Sequence, residues 1–525
     1  TLTALGGGSS FDNNTSLNAS LVTDDHRAGL YIFGQNRHRS GYDYDGDGFT
    51  ELPKLKNQTV GFRSYLKTST YSKLTFEYHH MQEFRRGGDM LDRPPHEAHI
   101  AEQLQHSIDG GSLKFDYFSP DEKNRLSIFA SAANTDRDSY YGPGNDPLKA
   151  YGKTTDLTAM GGAQYVHTFD KCFFMPSDLT AGLEYNRDRL KDNMWGYDRH
   201  TDQTVNIYSA FLQNEWKNDR WGILIGGRLD KHNMVDNVIF SPRANLRFNP
   251  TQNINLRLSY SSGFRAPQAF DEDMHIENVG GTVAMIERAK NLKEENSQSF
   301  SASADMYHRF GVFQTNFLIE GFYTRLTDVF VLGEPYDRGD GILVKPRSNG
   351  PGAKVMGLTL EGKVAYLSIL QIQAGLTLQR SRYDEPHKWH DDVPAEKKIF
   401  RTPDTYGYFT ATYTPVKPLS IALSGTYTGP MLVQRMDITA ENAKLGEMPE
   451  RKAEAIRTPR FFDLGVKLAY DFKLYKTVDL QLNGGVQNLF ESYQKDFDRG
   501  ANRDSGYIYG PSLPRSFFAG VKISY

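Results

Sequence analysis

The residues with the clearest potential for chemistry lie near the start of the chain. Residues 43–51 read DYDGDGFTE, which places aspartates at the first, third and fifth positions of a candidate calcium loop and glycine at the sixth. Ca²⁺ prefers six to eight oxygen ligands, and alternate carboxylates around a tight glycine turn supply several of them. The helical calcium loop is excluded because its twelfth position is Lys54 rather than glutamate. The alternative is a solvated acidic turn, but we predict a metal site formed by Asp43, Asp45, Asp47 and Glu51.

A second set of residues, in predicted loops, suits ligand recognition better than catalysis. Arginine and aromatic side chains are enriched at binding surfaces, although ordinary rim residues have the same composition. A histidine follows an acidic stretch at 270–275, which reads FDEDMH, and an isolated loop histidine can equally be solvated. No Ser-His-Asp order and no phosphate-cradling glycine loop is visible in the sequence, so we predict that the protein is not an enzyme. The candidate ligand-binding residues are Arg85, Arg86, Trp195, Tyr197, Asp271, His275 and Trp389.

The elements that must position these residues are predicted to be long β-strands. Ile254, Leu256 and Leu258 alternate with Asn255 and Arg257, and the same alternation recurs along the chain. Successive side chains of a strand point to opposite faces, so each of these strands has one apolar and one polar face. Many of the alternating segments run for about 9–14 residues, as a tilted membrane strand requires, whereas soluble strands average about 5–6. No apolar run approaches the roughly 18 residues that a membrane helix needs.

The connections between these strands alternate between short and long. Outer-membrane barrels have short periplasmic turns and long extracellular loops, so this alternation orients the chain. The predicted long loops include Gln82–Gln105, Thr135–Lys153 and Arg265–Asn296. Counting Thr1–Gly8 as a first, clipped strand gives about 22 strands and eleven outer loops, the size of a plugged outer-membrane transporter. We therefore predict an all-β protein, a 22-stranded antiparallel transmembrane β-barrel with short periplasmic turns and long extracellular loops, in one domain over residues 1–525.

Composition excludes several other classes of protein. The formal net charge is −3, so no nucleic-acid footprint is present, and we predict no nucleic-acid partner. A single cysteine, Cys172, excludes a disulfide within the chain. Aromatic residues make up 13% of the sequence, which favours strands.

Four motifs give the chain a resemblance to one family. They are GFRAP at 263–267, NLKEENS at 291–297, VQNLF at 486–490 and GPSLPR at 510–515. In this order and spacing they resemble the barrel domain of a TonB-dependent outer-membrane receptor of Bacteroides-like bacteria, and the resemblance covers essentially the whole chain. It implies a location in the bacterial outer membrane, in contact with its lipid. It also implies an N-terminal plug domain and a signal peptide outside the given sequence, and energy supplied by the TonB–ExbB–ExbD complex.

The resemblance also implies a cargo class. Such receptors import scarce small-molecule nutrients, and we expect cobalamin or an iron chelate, either a siderophore or haem. His275 lies in the interval where haem receptors carry an iron-ligating histidine, and cobalamin receptors order outer loops with calcium, which agrees with the predicted metal site. A surface lipoprotein partner is possible. The alternatives are a passive porin-like channel and a surface-binding β-barrel protein.

The longest predicted loop is expected to hold the cargo. It extends from Phe264 to Ser297, well beyond the roughly 12–15 residues at which a loop without secondary structure becomes unusual. Its acidic stretch would repel an anionic ligand unless Arg85, Arg86 or a metal offset the charge, so a neutral or weakly charged ligand fits it better. Four of its apolar residues are expected to pack as a lid: Val279, Val283, Met285 and Ile286.

Overall fold

The computed structural model describes residues 1–143, 150–279, 282–438, 451–501 and 503–525. Within these ranges the chain is almost entirely β-structure, with one short α-helix, α1 (Asp271–Met274), and two 3-10 turns at Pro95–Glu97 and Trp195–Tyr197. No helix in the described ranges is both long enough and apolar enough to cross a membrane.

The described residues form thirty strands, which we number in chain order. They are β1 (Leu2–Leu5), β2 (Ser10–Val22), β3 (Ala28–Arg39), β4 (Lys54–Ser69), β5 (Ser72–Gly88), β6 (Ile100–Phe118), β7 (Asn124–Pro143), β8 (Tyr151–Cys172), β9 (Met175–Met194), β10 (Arg199–Lys217), β11 (Trp221–His232), β12 (Ile239–Thr251), β13 (Ile254–Arg265), β14 (Glu277–Val279), β15 (Thr282–Arg288), β16 (Glu295–Phe310), β17 (Phe313–Thr327), β18 (Phe330–Leu332), β19 (Tyr336–Asp337), β20 (Leu343–Asn349), β21 (Ala353–Tyr366), β22 (Leu370–His387), β23 (Glu396–Lys398), β24 (Thr405–Val416), β25 (Leu419–Thr428), β26 (Leu432–Ile438), β27 (Arg451–Arg457), β28 (Phe461–Tyr475), β29 (Val478–Gln487) and β30 (Ser516–Ser524).

Twenty-two of these strands pair antiparallel with their neighbours in chain order and close into a barrel. The closure is made by β1, which pairs with β2 through Leu2–Asn13 and with β30 through Leu2–Ala519. Reading the first residues as a barrel strand is therefore confirmed, and so are the all-β class and the predicted number of strands. The other eight strands lie in the connections: β14, β15, β18, β19, β20, β23, β26 and β27.

The alternation seen in the sequence corresponds to the two faces of the barrel wall. On β13, Leu256 and Leu258 leave 37% and 54% of their surface exposed on the outer face. Asn255, Arg257 and Ser259 face the lumen because neighbouring residues on a strand point to opposite sides. The exterior is thus an apolar band, which would be unfavourable in water but suits a lipid environment.

The barrel strands are longer at one end than the sequence predicts. β5 continues to Gly88 and β6 begins at Ile100, so most of the predicted loop Gln82–Gln105 is a paired hairpin. The loop predicted over Thr135–Lys153 behaves in the same way, because β7 reaches Pro143 and β8 starts at Tyr151, although residues 144–149 lie outside the described part. These two loop boundaries were wrong because alternation between polar residues carries no hydrophobic signal for a strand.

The end of the barrel that carries the long connections is called the mouth below. Two of these connections, residues 266–294 and residues 328–352, join in a separate five-stranded sheet. Its central pairing is parallel, with Ala284 of β15 opposite Leu343 of β20. The connection 266–294 is called the lid.

Candidate functional site

The lid packs against the tops of strands on the lumen side of the barrel. Val283 and Met285 of the lid are buried in one cluster with Tyr141 of β7 and Met194 of β9. Val344 of β20 belongs to the same cluster and is fully buried. The predicted packing of Val283 and Met285 as a cover is therefore present in the structure, whereas the side chain of Val279 lies outside the described part.

An ion-pair network fixes the acidic helix α1 of the lid. Asp271 lies 2.9 Å from Arg137 NH1 on β7. The NH1 group of Arg347 on β20 lies 2.8 Å from Glu272 Oε1 and 2.9 Å from Asp273 Oδ1. Arg347 and Asp273 expose only 7% and 6% of their side chains, so solvent screens this pair weakly, whereas Asp271 and Glu272 are largely exposed and their pairs are screened more strongly.

Further contacts bind the same helix to the barrel wall. Arg199 of β10 donates to the carbonyl of Met274 at 3.0 Å and to Asp192 Oδ2 at 2.8 Å. Arg265 donates to Glu272 Oε1 at 2.5 Å, and its guanidinium lies over the ring of Phe270. The three lid acids thus lie among arginines from four separate elements, and their negative charge is largely neutralised.

Burial raises the pKa of the neighbouring carboxyl groups of Glu272 and Asp273, whereas the nearby arginines lower it. Burial raises the pKa of Glu272, but the hydrogen bond from Arg265 and the charges of Arg347 and Arg265 outweigh it, so its pKa lies below the ordinary value. Burial dominates at Asp273 and raises its pKa, despite the hydrogen bond from the Phe270 N–H and the charge of Arg347.

The acidic turn at 43–51 brings three of its four predicted metal ligands together. Ligand oxygens of Asp43, Asp45 and Glu51 lie within 4.8 Å of one another. The two carboxylate oxygens of Asp43 accept hydrogen bonds from the amides of Gly46 and Gly48 at 2.7 and 2.8 Å. Both glycines have positive φ, which side chains rarely adopt, so the spacing of the motif forms a tight carboxylate-lined turn.

Arginines from the connection 488–515 contact the same turn. Arg503 donates from NH1 to Glu51 Oε1 at 3.1 Å and from NH2 to Asp47, and Arg499 donates from Nε to Asp45 Oδ2 at 3.0 Å. Burial raises the pKa of Asp47, but hydrogen bonds from the amides of Gly500 and Phe49 and the charge of Arg503 bring it below its ordinary value. These arginines supply part of the positive charge that a cation would bring, so Ca²⁺ would share the carboxylates with them. The calcium site stays a prediction.

The other predicted ligand residues lie in different environments. Arg85 is half exposed and pairs with Glu83 at 2.7 Å, whereas Arg86 is buried in β5 and donates to the carbonyls of Gly87 and Asp89. His275 of the lid packs edge-on against Tyr141, with ring centroids 5.3 Å apart. Trp195 exposes 57% of its surface at the rim. Tyr197 is buried and donates to the carbonyl of Tyr141 at 2.6 Å.

Trp389 lines a cavity of about 160 Å³ between five connections at the mouth. Among the described residues, its indole Nε1 is buried without a hydrogen-bond partner. Three cationic residues absent from the predicted set lie around the same space, and no local motif could have identified them because each comes from a different connection. The charged and polarisable residues of the lining are Lys345, Trp389, Arg401, Arg435, Met436 and Asp504.

The cations of this cavity are held by the surrounding loops. Arg435 lies 2.6 Å from Asp498 and 5.0 Å from the ring centre of Tyr507. Arg401 donates from NH1 to the carbonyl of Ile508 at 2.8 Å. A cavity that combines an aromatic side chain with guanidinium groups suits a planar or anionic group of a small molecule.

Comparisons with known proteins identify the architecture. A family model described as "TonB dependent receptor-like, beta-barrel" matches residues 2–489. The siderophore receptor PirA from Acinetobacter baumannii is 14% identical, with a TM-score of 0.75 over 100% of this chain and 79% of that chain. A mutant of the ferric enterobactin receptor PfeA from Pseudomonas aeruginosa is 16% identical, with a TM-score of 0.72 over 98% of this chain and 77% of that chain. The ferric-catecholate import receptor Fiu from E. coli K12 is 13% identical, with a TM-score of 0.69 over 100% of this chain and 80% of that chain. None of the curated proteins matches the sequence significantly.

Proposed function

Because the chain belongs to the TonB-dependent receptor β-barrel family of the bacterial outer membrane, we propose that it imports an anionic ferric chelate of the siderophore class. The family is one of transport receptors. The single observation that carries the proposed cargo is the cavity beside Trp389, which Lys345, Arg401 and Arg435 also line. Charge-assisted hydrogen bonds to carboxylate or catecholate oxygens are about twice as strong as neutral ones.

The neutralised helix of the lid supports an anionic cargo. The sequence favours a neutral ligand because Asp271, Glu272 and Asp273 would repel an anion. In the folded protein Arg137 and Arg347 lie against these acids, so the repulsion at the mouth is much reduced. The solved neighbours agree in class, since their names describe siderophore, ferric enterobactin and ferric-catecholate receptors.

Cobalamin and haem are the alternatives to a siderophore. For haem, the candidate iron ligand is His275, which packs edge-on against Tyr141 and leaves 42% of its side chain exposed. We propose further that import requires a plug domain in the lumen and energy from the TonB–ExbB–ExbD complex, with a surface lipoprotein as an additional partner. A passive porin-like channel would need none of these.

The test is a growth and uptake assay in a strain that depends on this receptor. Uptake of radiolabelled iron from a panel of siderophores is compared with uptake of haem and cobalamin. We expect one ferric siderophore to be transported, transport to stop when TonB is deleted or the proton gradient is dissipated, and K345Q/R401Q to weaken binding about tenfold or more. K123Q/K473Q is the matched control, because it also removes two charges, each lysine has one ion pair at the short-turn end of the barrel, and neither lines the cavity.

Two results would contradict the proposal. Transport of cobalamin or haem, without transport of any siderophore, would show that the proposed cargo is wrong. The assignment to a receptor class would not be affected. Uptake that continues without TonB would instead favour the passive channel.

A further inference from the structure

The outer face of the barrel carries a row of cations near the mouth. Arg325 of β17 is directly opposite Lys354 of β21. Arg382 of β22 lies opposite Lys354 on its other side, and Lys398 of β23 lies opposite Arg382. Paired residues of antiparallel strands point to the same side, so all four share one face. Arg380 lies two residues from Arg382 on that face. Like charges directly opposite one another are destabilising, so the row needs a compensating anion.

The protein itself supplies only part of that negative charge. Lys354 pairs with Asp384 at 2.7 Å, and Lys398 pairs with Asp404 at 2.7 Å. Across the part of the chain that the structure describes, Arg325, Arg380 and Arg382 make no ion pair or side-chain hydrogen bond, and all three are exposed. These three arginines are called the arginine triad below.

The height of the triad along the barrel matches that of lipid headgroups. One rung closer to the middle of the barrel, an outward row runs through Tyr260, Phe300, Tyr323 and Met356, which are directly opposite one another. Aromatic girdles of this kind mark the membrane interface of outer-membrane barrels. Arg325 and Arg382 lie two residues further out than this row, or about 7 Å along the strand. Because β17 ends at Thr327 at the mouth, this interface is that of the outer leaflet.

An apolar groove of about 1160 Å³ runs down the same outer face from Arg380. Its floor is made by small residues, Ala244, Ala302 and Gly321, between larger residues such as Leu258 and Phe300. No atom lies within 4 Å of the position where a Cβ would stand on Gly321, so the groove is open at that point. A continuous apolar depression on a membrane-facing wall accommodates hydrocarbon chains.

We propose that this face is a specific binding site for a phosphorylated lipid of the outer leaflet. The arginine triad binds its phosphate groups, and the groove that ends at Arg380 holds an acyl chain. Guanidinium groups pair bidentately with phosphate, which would offset the repulsion within the cation row. Charge and groove together select a lipid that carries both phosphate and hydrocarbon, rather than a soluble anion.

The test measures lipid retention by native mass spectrometry of the delipidated full chain, with diphosphoryl lipid A as the probe. We expect saturable binding to the wild type, and R325Q/R380Q/R382Q to weaken it about tenfold or more, since each arginine near an anionic headgroup adds to the attraction. G321L should also weaken binding, because its side chain enters open space in the groove while the barrel keeps its folded mobility on gels. Dephosphorylated lipid A should bind the wild type as weakly as diphosphoryl lipid A binds the triad variant.

The matched control removes three outward cations elsewhere on the barrel. K153Q/R187Q/K191Q lowers the charge equally, but Lys153 and Lys191 lie opposite Asp138 and Asp202, so that surface is already balanced. Equal loss of lipid in both triple variants would reduce the effect to general electrostatics and overturn the proposal. The proposal would also be overturned if the triad variant bound diphosphoryl lipid A as tightly as the wild type does. The same holds if this face bound a second copy of the chain instead of lipid.

Discussion

Arg503 NH1 lies 3.1 Å from Glu51 Oε1, although 452 residues separate the two in the sequence. Glu51 is almost fully buried, with 1% of its side chain exposed, and Arg503 exposes 12%. The contact is possible because β1 closes the barrel between β2 and β30 and brings the connections 40–53 and 488–515 close together. The ion pair therefore joins the first and the last long connections of the mouth.

Removing this arginine should loosen both connections. R503Q leaves Glu51 and Asp47 without their charged partner, and a buried polar group that loses its partner costs about 1–3 kcal/mol, more if it is charged. We expect faster hydrogen exchange in residues 40–53 and 488–515 and no change in barrel assembly. R85Q removes one half-exposed ion pair and should leave exchange in these residues unaltered. Unchanged protection in R503Q would mean that the ion pair is dispensable for loop order.

The calcium prediction can be tested at the same turn. If Asp43, Asp45 and Glu51 bind Ca²⁺, calorimetry of the wild type should show heat of binding, and D43N/D45N should abolish it. Ligand oxygens in a calcium-soaked crystal should then lie about 2.3–2.6 Å from the ion. D496N is a control in the connection 488–515, outside the three-carboxylate group. An absence of heat in the wild type would contradict a calcium site at this turn.

The two faces of β13 should respond differently to a new charge. L256R places arginine on the outer face and should destabilise the barrel by about 2–4 kcal/mol if it lies near the bilayer midplane. N255R changes the neighbouring residue, which faces the lumen, and should cost much less. Urea unfolding in lipid vesicles, followed by tryptophan fluorescence, measures both variants. Equal destabilisation would contradict the assignment of faces.

Deletion of residues 270–289 should abolish cargo uptake while the barrel still folds. The flanking strands β13 and β16 pair with each other from Ile254–Met306 to Arg265–Glu295, so their register does not depend on the lid. Heat-modifiable mobility on gels reports barrel folding, and radiolabelled cargo reports transport. Normal uptake by the deletion variant would show that the lid is not the binding element.

Acid should weaken the docking of the lid through Glu272. Its pKa is lowered in the folded state, so its contribution is complete above the ordinary value of 4.5 and is lost as the pH falls through the lowered pKa. Asp273 opposes this, because its raised pKa means that protonation relieves the penalty of a buried charge. Comparison of E272Q with the wild type isolates the first effect.

Hydrogen exchange of the lid from pH 6 to about pH 3, corrected for intrinsic rates, measures this difference. We expect the wild type to lose more protection on acidification than E272Q does. Equal losses would assign the acid response to other carboxylates.

The sequence alone carries enough information for the barrel but not for the mouth. Alternation such as that of Leu256 and Asn255 depends on local periodicity, and together with the regular succession of short and long connections it predicted the closed barrel correctly, including β1. The contacts of Arg503 with Glu51, and of Arg347 with Glu272, join connections far apart in the chain, and no local pattern encodes them. The upper ends of β5 and β7 were missed because most of their residues are polar on both faces. Arg401 and Arg435 were missed because the cavity exists only after five connections meet.

The parallel pairing of Ala284 with Leu343 has a consequence for the order of assembly. Parallel strands need a crossover between them, and here the crossover contains the complete hairpin of β16 and β17, which belongs to the barrel wall, followed by the short strands β18 and β19. The sheet at the mouth therefore cannot form until that hairpin is in place, and its contacts are distant in sequence, which slows folding. During biogenesis the pore would pass through a stage in which the wall is sealed but the mouth is still open, and closure of the mouth would be the late step in maturation.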